Sequence, residues 1–164
     1  MIITRNSTTP EALRDAMSST QSMFRVAAIQ MASGPNVAAN LQEAQRLIEL
    51  AAATGARIIA LPEYFAIMGM KDTDKVAVRE RDGSGPIQDF LSAQAKNHKV
   101  WIVGGSVPLE SGQADKVHNT CLVYNQLGER VARYDKIHLF GFEMGSERYH
   151  EERTIEPGSA VCVV

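Results

Sequence analysis

The chain has 164 residues, 45% of them hydrophobic and 22% charged, with a formal net charge of −2. That apolar share, with 12 Gly and 6 Pro, excludes a disordered or collagen-like chain, and the length lets one domain bury a core. The near-neutral charge argues against a dedicated nucleic-acid binder, which needs a basic face to neutralise phosphates.

Residues 1–22 are rich in Ser and Thr and lack the apolar stretch of a secretory signal; Arg5 and Arg14 are balanced by Glu11 and Asp15, unlike a mitochondrial presequence. They read as a disordered extension to a domain spanning 23–164, with the true start at Met1, Met17 or Met23. No apolar run approaches the ~20 residues of a transmembrane helix, so no membrane partner is expected. Two cysteines, Cys121 and Cys162, are too few for a disulfide framework, so the expected setting is reducing and cytoplasmic.

From Phe24 to Met31 a short, apolar, partly β-branched run predicts a buried strand. Ser33-Gly34-Pro35-Asn36 breaks it, and Asn36 can cap a helix over Val37 to Ala53, closed by Gly55 at a C′ position. Arg57 to Leu61 predicts a second buried strand, making a βαβ unit with a right-handed crossover. Tyr64 to Arg81 is consistent with a short helix or a lid. Pro86 falls at the first position of a helix reaching about Asn97, and Val100 to Ser106 predicts the third strand. Val117 to Tyr124 and Arg130 to Tyr134 flank Asn125-Gln126-Leu127-Gly128 as a hairpin, so the sheet is mixed. The chain ends at Ala160-Val161-Cys162-Val163-Val164, an apolar β-prone run in which domains rarely stop.

Three places could carry chemistry. Glu63 lies just past the second strand, at the sheet edge where ligands bind in open α/β folds, and its apolar neighbours Leu61, Pro62, Tyr64 and Phe65 predict partial desolvation. A carboxylate so placed suits general-base work; an ordinary loop glutamate is the plainer alternative. Lys136 follows the last strand and suits stabilisation of an oxyanion, or else pairs with Asp135 as a solvated surface lysine. Glu143, Glu147, Glu151, Glu152 and Glu156 crowd a loop-like segment that is either a solvated face or the source of a carboxylate that orients a catalytic neighbour.

Other patterns are weaker. Gly83-x-Gly85 and Gly104-Gly105 do not complete a dinucleotide fingerprint, and His118-x-x-Cys121 has no second ligand pair at metal spacing. His138 and His150 read as polar contacts near the lysine, and Met68 and Met70 as pocket-lining or core residues.

Val26 to Met31, Leu61 to Phe65, Tyr134 to Phe140 and Glu151 to Gly158 stand together in one order. In kind, order and spacing they make the chain resemble the nitrilase, or carbon–nitrogen hydrolase, superfamily over Phe24 to Val164. The nearest branch is that of the Nit-type amidases acting on ω-amides of 2-oxo acids or on deaminated glutathione. The resemblance implies a mixed-sheet αββα sandwich, present here as an incomplete domain and assembled sheet to sheet as a homodimer or higher homo-oligomer. It implies a Glu–Lys–Cys triad acting on a small-molecule amide, with no metal and no organic cofactor. The general base then matches Glu63, the oxyanion lysine matches Lys136, and an orienting glutamate matches Glu151 in preference to Glu143 or Glu147. In the family the nucleophilic cysteine follows the Pro-Gly segment by a further strand and hairpin. Cys121 and Cys162 stand elsewhere, so the nucleophile is expected to be absent from these 164 residues. The rival readings are an inactive fragment or paralogue acting through subunit assembly, and a cysteine enzyme using Cys121 or Cys162.

Overall fold

A computed structural model describes residues 24–164; the expected extension over 1–22, and Met23 as a start, lie outside the described residues. The chain opens with β1 (Arg25–Ala28), α1 (Val37–Ala53) and β2 (Ala56–Ala60), and β1 pairs parallel with β2, as the strand–helix–strand pattern predicts. Asn40, Ala44, Ile48 and Ala51 recur at helical spacing and form the buried stripe of α1. Asn36 Oδ1 accepts the Ala39 N–H at 3.0 Å to start that helix, and Gly55, at φ 83, follows its end. The buried Asn40 amide donates to the Gly34 and Ala66 carbonyls at 2.7 and 2.9 Å, joining the helix to the loops on either side.

The segment after β2 holds only the short α2 (Asp74–Ala77). It is followed by α3 (Pro86–His98), whose first N–H groups are met by the buried Glu80 carboxylate, a cap set six residues before the helix. Next come β3 (Trp101–Val103), β4 (Val107–Glu110), β5 (Val117–Tyr124) and β6 (Arg130–Asp135). The sheet order is β1-β2-β3-β5-β4, with β6 on the other side of β5; the first three strands are parallel and the later pairings antiparallel. This is the mixed sheet that the sequence predicts.

Four boundaries differ from expectation, the first being β1, which covers Arg25–Ala28 rather than Phe24 to Met31. β3 stops at Val103 rather than Ser106 because Gly104-Gly105 turns the chain out of line. β4 carries Pro108, a residue that argues against a central strand, and it is tolerated because β4 lies at the sheet edge. The glutamate-rich segment is not a loop: β7 (Gly141–Met144) and β8 (Glu147–His150) form a hairpin through Gly145, at φ 61, and run into a 3-10 turn over Glu151–Arg153. The run Val161 to Val164 takes up no strand, and Val161 and Val163 are 84% and 94% exposed.

Both long helices pack on one face of the sheet. Ala27, Ile59, Ile102 and Leu122 meet Ala44, Ile48, Ile87 and Leu91 there, and all but Ala27 are essentially inaccessible to water. Alternation sends Val26, Ile58, Trp101 and Val103 to the opposite face, which no helix among the described residues covers. One helix layer on one mixed sheet is half of the four-layer sandwich implied by the resemblance. No helix among the described residues is long and apolar enough to cross a membrane.

Candidate active site

Pro62 ends β2, and the next two residues are pegged from both sides. Gly105, at φ 56, lies so close beneath Pro62 that a Cβ there would sit 2.1 Å from the Pro62 carbonyl oxygen. Tyr64 adopts a left-handed conformation, at φ 56, and its N–H donates to Ser106 Oγ at 2.8 Å. Glu63, held between these contacts, extends across the end of the short β3 toward β5. There Asn119 Nδ2 donates to Glu63 Oε1 at 2.7 Å and Lys136 Nζ donates to the same oxygen at 3.1 Å.

Lys136 leaves the end of β6. Its N–H donates to the Asn119 carbonyl at 2.9 Å, and its own carbonyl accepts the Gly158 N–H at 2.9 Å. Its ammonium bridges to Glu151, 3.1 Å from Oε1 and 2.9 Å from Oε2. Glu151 opens the 3-10 turn, with its side chain only 5% exposed, and every lone pair direction is used. Tyr64 OH donates to Oε1 at 3.0 Å, and the Phe140 N–H donates to Oε2 at 2.7 Å. The Glu151 N–H returns a bond to the Phe140 carbonyl at 3.0 Å.

The electrostatics follow from this wiring. Burial pushes the Glu151 carboxyl up, but the Phe140 N–H, Lys136 and Tyr64 outweigh it and hold it below the usual glutamate value. Burial likewise works against the Lys136 charge, yet its two carboxylate partners raise it above the usual lysine value. Burial, reinforced by the Glu151 charge, drives the Tyr64 phenol far up, so it stays a donor. Beside them Lys75, 9% exposed, is pulled down by burial; its Nζ lies 3.4 Å from Thr154 Oγ1 and 5.5 Å from the Tyr64 ring centre. Tyr64, Ile67, Met68, Lys75 and Tyr149 help line a cavity of about 70 Å³ next to the cluster.

The structure thus brings Glu63, Lys136 and Glu151 together. It also corrects the expectations for Glu63, Asp135 and Met70, while Glu143, Glu147 and the His118–Cys121 pair, already disfavoured, lie apart from the cluster. Glu63 is 50% exposed rather than desolvated, because Leu61 and Phe65 turn into the core and leave its carboxylate open. Asp135 is not the partner of Lys136; it accepts from Thr120 Oγ1 at 2.6 Å and pairs with Arg133 at 3.1 Å. Glu143 and Glu147 lie exposed on the β7–β8 hairpin, where Glu143 meets His150 at 3.0 Å. His118 and Cys121 point to opposite faces of β5, and the His118 ring contacts the Glu156 carbonyl instead. Met68 lines the cavity, but Met70, 83% exposed, belongs to neither pocket nor core. Among the described residues no group of three or more His, Cys, Asp or Glu is placed to hold a metal ion.

Cys121 is half-buried opposite Tyr134 in β6, and burial pushes its thiol up, the reverse of an activated nucleophile; Cys162 is exposed. Sequence reasoning overlooked Asn119, Ser106, Gly105 and the role of Tyr64. Asn119 lies on the face of β5 opposite Leu122 and Tyr124, and the run Val117-His118-Asn119-Thr120 carries no local pattern that singles it out.

A sheet edge carrying a lysine between two carboxylates, on this half-sandwich, defines the class: the carbon-nitrogen hydrolase family profile matches residues 25–164, and the chain belongs to that family. It is 36% identical over 137 residues to a deaminated glutathione amidase of Synechocystis, covering 82% of this chain and 50% of that one. It is also 35% identical over 142 residues to omega-amidase NIT2-B of Xenopus laevis, covering 85% and 50% respectively. Among solved structures the C. elegans NitFhit protein superposes with a TM-score of 0.71 at 26% identity, over 82% of this chain and 33% of that chain. The chain spans about half the length of the curated relatives it matches.

Proposed function

We propose that these residues are the base-and-lysine half of an amidase that hydrolyses small carboxylate-bearing amides through a cysteine nucleophile lying outside them. The observation that carries this reading is the Lys136 ammonium set between the half-exposed Glu63 carboxylate, at 3.1 Å, and the buried Glu151, at 2.9 Å. The names of the amidase relatives supply the reaction class. Glu63 takes the thiol proton as sulfur attacks the amide carbon, and Lys136 stabilises the tetrahedral oxyanion. Glu63 then hands the proton to the departing ammonia. It next activates a water that hydrolyses the thioester and frees the thiol. Glu151 and Tyr64 aim the lysine. The apolar sheet face left open by the helices is the surface on which a homodimer or higher homo-oligomer would assemble.

The test is ammonia release from a short ω-amide by the natural full-length chain containing these residues. Glu63→Gln and Lys136→Ala should each cut turnover by about a thousandfold or more while the variants stay folded. A near-normal rate in either sinks the assignment. The nucleophile is tested separately: if the 164-residue chain itself releases ammonia and Cys121→Ala abolishes this, the cysteine is misplaced.

A further inference from the structure

Asn119 is a buried amide, 5% exposed, in the strand that faces the candidate site. It touches both partners of the ion pair in different ways. Its side chain donates to Glu63 Oε1 at 2.7 Å, and its main-chain carbonyl accepts the Lys136 N–H at 2.9 Å. A carboxylate only accepts, so the atom facing it is the amide nitrogen. Lys136 Nζ reaches the same Oε1 at 3.1 Å, which fills both lone pairs of that oxygen. No donor among the described residues reaches Oε2, and the side chain is half exposed.

We infer that Asn119 is a positioning residue which, with Lys136, occupies Oε1 of Glu63 and so dedicates Oε2 as the oxygen that exchanges protons. The inference rests on the reading of Glu63 as general base. In atomic terms, the thiol S–H bond breaks and its proton forms an O–H bond at Oε2, leaving the sulfur lone pair to attack the amide carbon. When the C–N bond breaks, that O–H proton moves to nitrogen and the carboxylate is restored. Without the Asn119 donor the carboxylate can swing about its terminal torsion, and neither oxygen is fixed in line with the thiol. Around it stand Lys136, Glu151, Tyr64, Lys75 and Tyr149 as ionisable groups.

The experiment uses the natural full-length chain with Asn119→Leu and Asn119→Asp, following ammonia release from an ω-amide as a function of substrate concentration. The leucine variant should lose roughly tenfold to a hundredfold in kcat with KM changed less than about threefold, since binding contacts are untouched. The aspartate variant, equal in size, replaces the donor by an acceptor and should lose at least as much in kcat. A merely structural asparagine would lower the amount of folded enzyme and leave kcat per folded molecule where it was. Unchanged kcat in either folded variant overturns the inference. Should both variants fold too poorly for assay, Asn119→Thr, a polar residue suited to a strand, is measured in their place, and unchanged kcat there overturns the inference. Glu63→Gln separates the two levels. Normal turnover there defeats the general-base reading itself, whereas an inert Glu63→Gln beside a normal Asn119→Leu defeats only the role of Asn119.

Discussion

Glu151 and Lys136 are bound to each other by more than attraction of charge. The carboxylate is nearly sealed from water and holds four donor contacts, whereas Lys136 keeps a quarter of its side chain exposed. Removing the lysine by Lys136→Met leaves a buried carboxylate with two neutral donors. The loss for a fully buried pair is about 3–5 kcal/mol, and the partial exposure of Lys136 brings the expectation to about 2 kcal/mol, read from urea denaturation at neutral pH. Because the folded chain holds the Glu151 carboxyl below its usual value, the stabilisation it provides is complete above the ordinary glutamate range and is lost as pH falls through the depressed folded value. Lys136→Met should therefore begin its acid unfolding at a higher pH than the parent; identical acid transitions would show that the pair does not set this limb. At this scale the sequence showed Glu63, Lys136 and Glu151 through motif likeness, because each sits in a run of distinctive neighbours. Asn119, Ser106 and Tyr64 act through tertiary contact with residues far along the chain, and no local pattern records a partner 42 to 87 positions away.

Elements differ in how openly they declare themselves. α1, α3 and the β5–β6 hairpin carry both a period and a stop signal, and their ends fall within a residue or so of expectation. β4 was hidden by Pro108 although its Val107 and Leu109 are fully buried in the core, and the β7–β8 hairpin by exposed glutamates that mimic a loop, a hairpin held by cross-strand pairing rather than by a buried stripe. The junctions between elements matter most for the site. Gly105→Ala forces a methyl against the Pro62 carbonyl and strains a left-handed residue, so it should cost at least about 3 kcal/mol. In the full-length chain it should also lower turnover, because Glu63 follows Pro62 directly. By contrast Asn36→Ala removes only the exposed cap of α1 and should cost about 1 kcal/mol with turnover preserved. Equal melting temperatures for these two variants would show that the Gly105 contact relaxes more easily than the geometry implies.

On the scale of the whole molecule, the dominant feature is a sheet that the described residues clothe with helices on one side only. Val26 is 54% exposed on the uncovered face, Val131 is 44% exposed on β6, and Phe140 and Met144 are 58% and 66% exposed around the hairpin. β6 pairs with β5 and has no second strand neighbour among the described residues, so its outer edge is a template for another chain. The 164-residue chain should associate as its concentration rises, seen by sedimentation velocity, and Val131→Lys should reduce that association by placing a charge on the edge. A monodisperse monomer at high concentration would mean that the bare face is tolerated in water. The order of the cluster along the chain has a consequence for biosynthesis. Glu63, Asn119 and Lys136 precede Glu151, so a ribosome supplies the buried carboxylate last, into a setting where its cation and its phenol donor have already been made. Glu151 never has to wait, unneutralised, for a later cation; the charge costliest to bury is the last of the group to leave the exit tunnel.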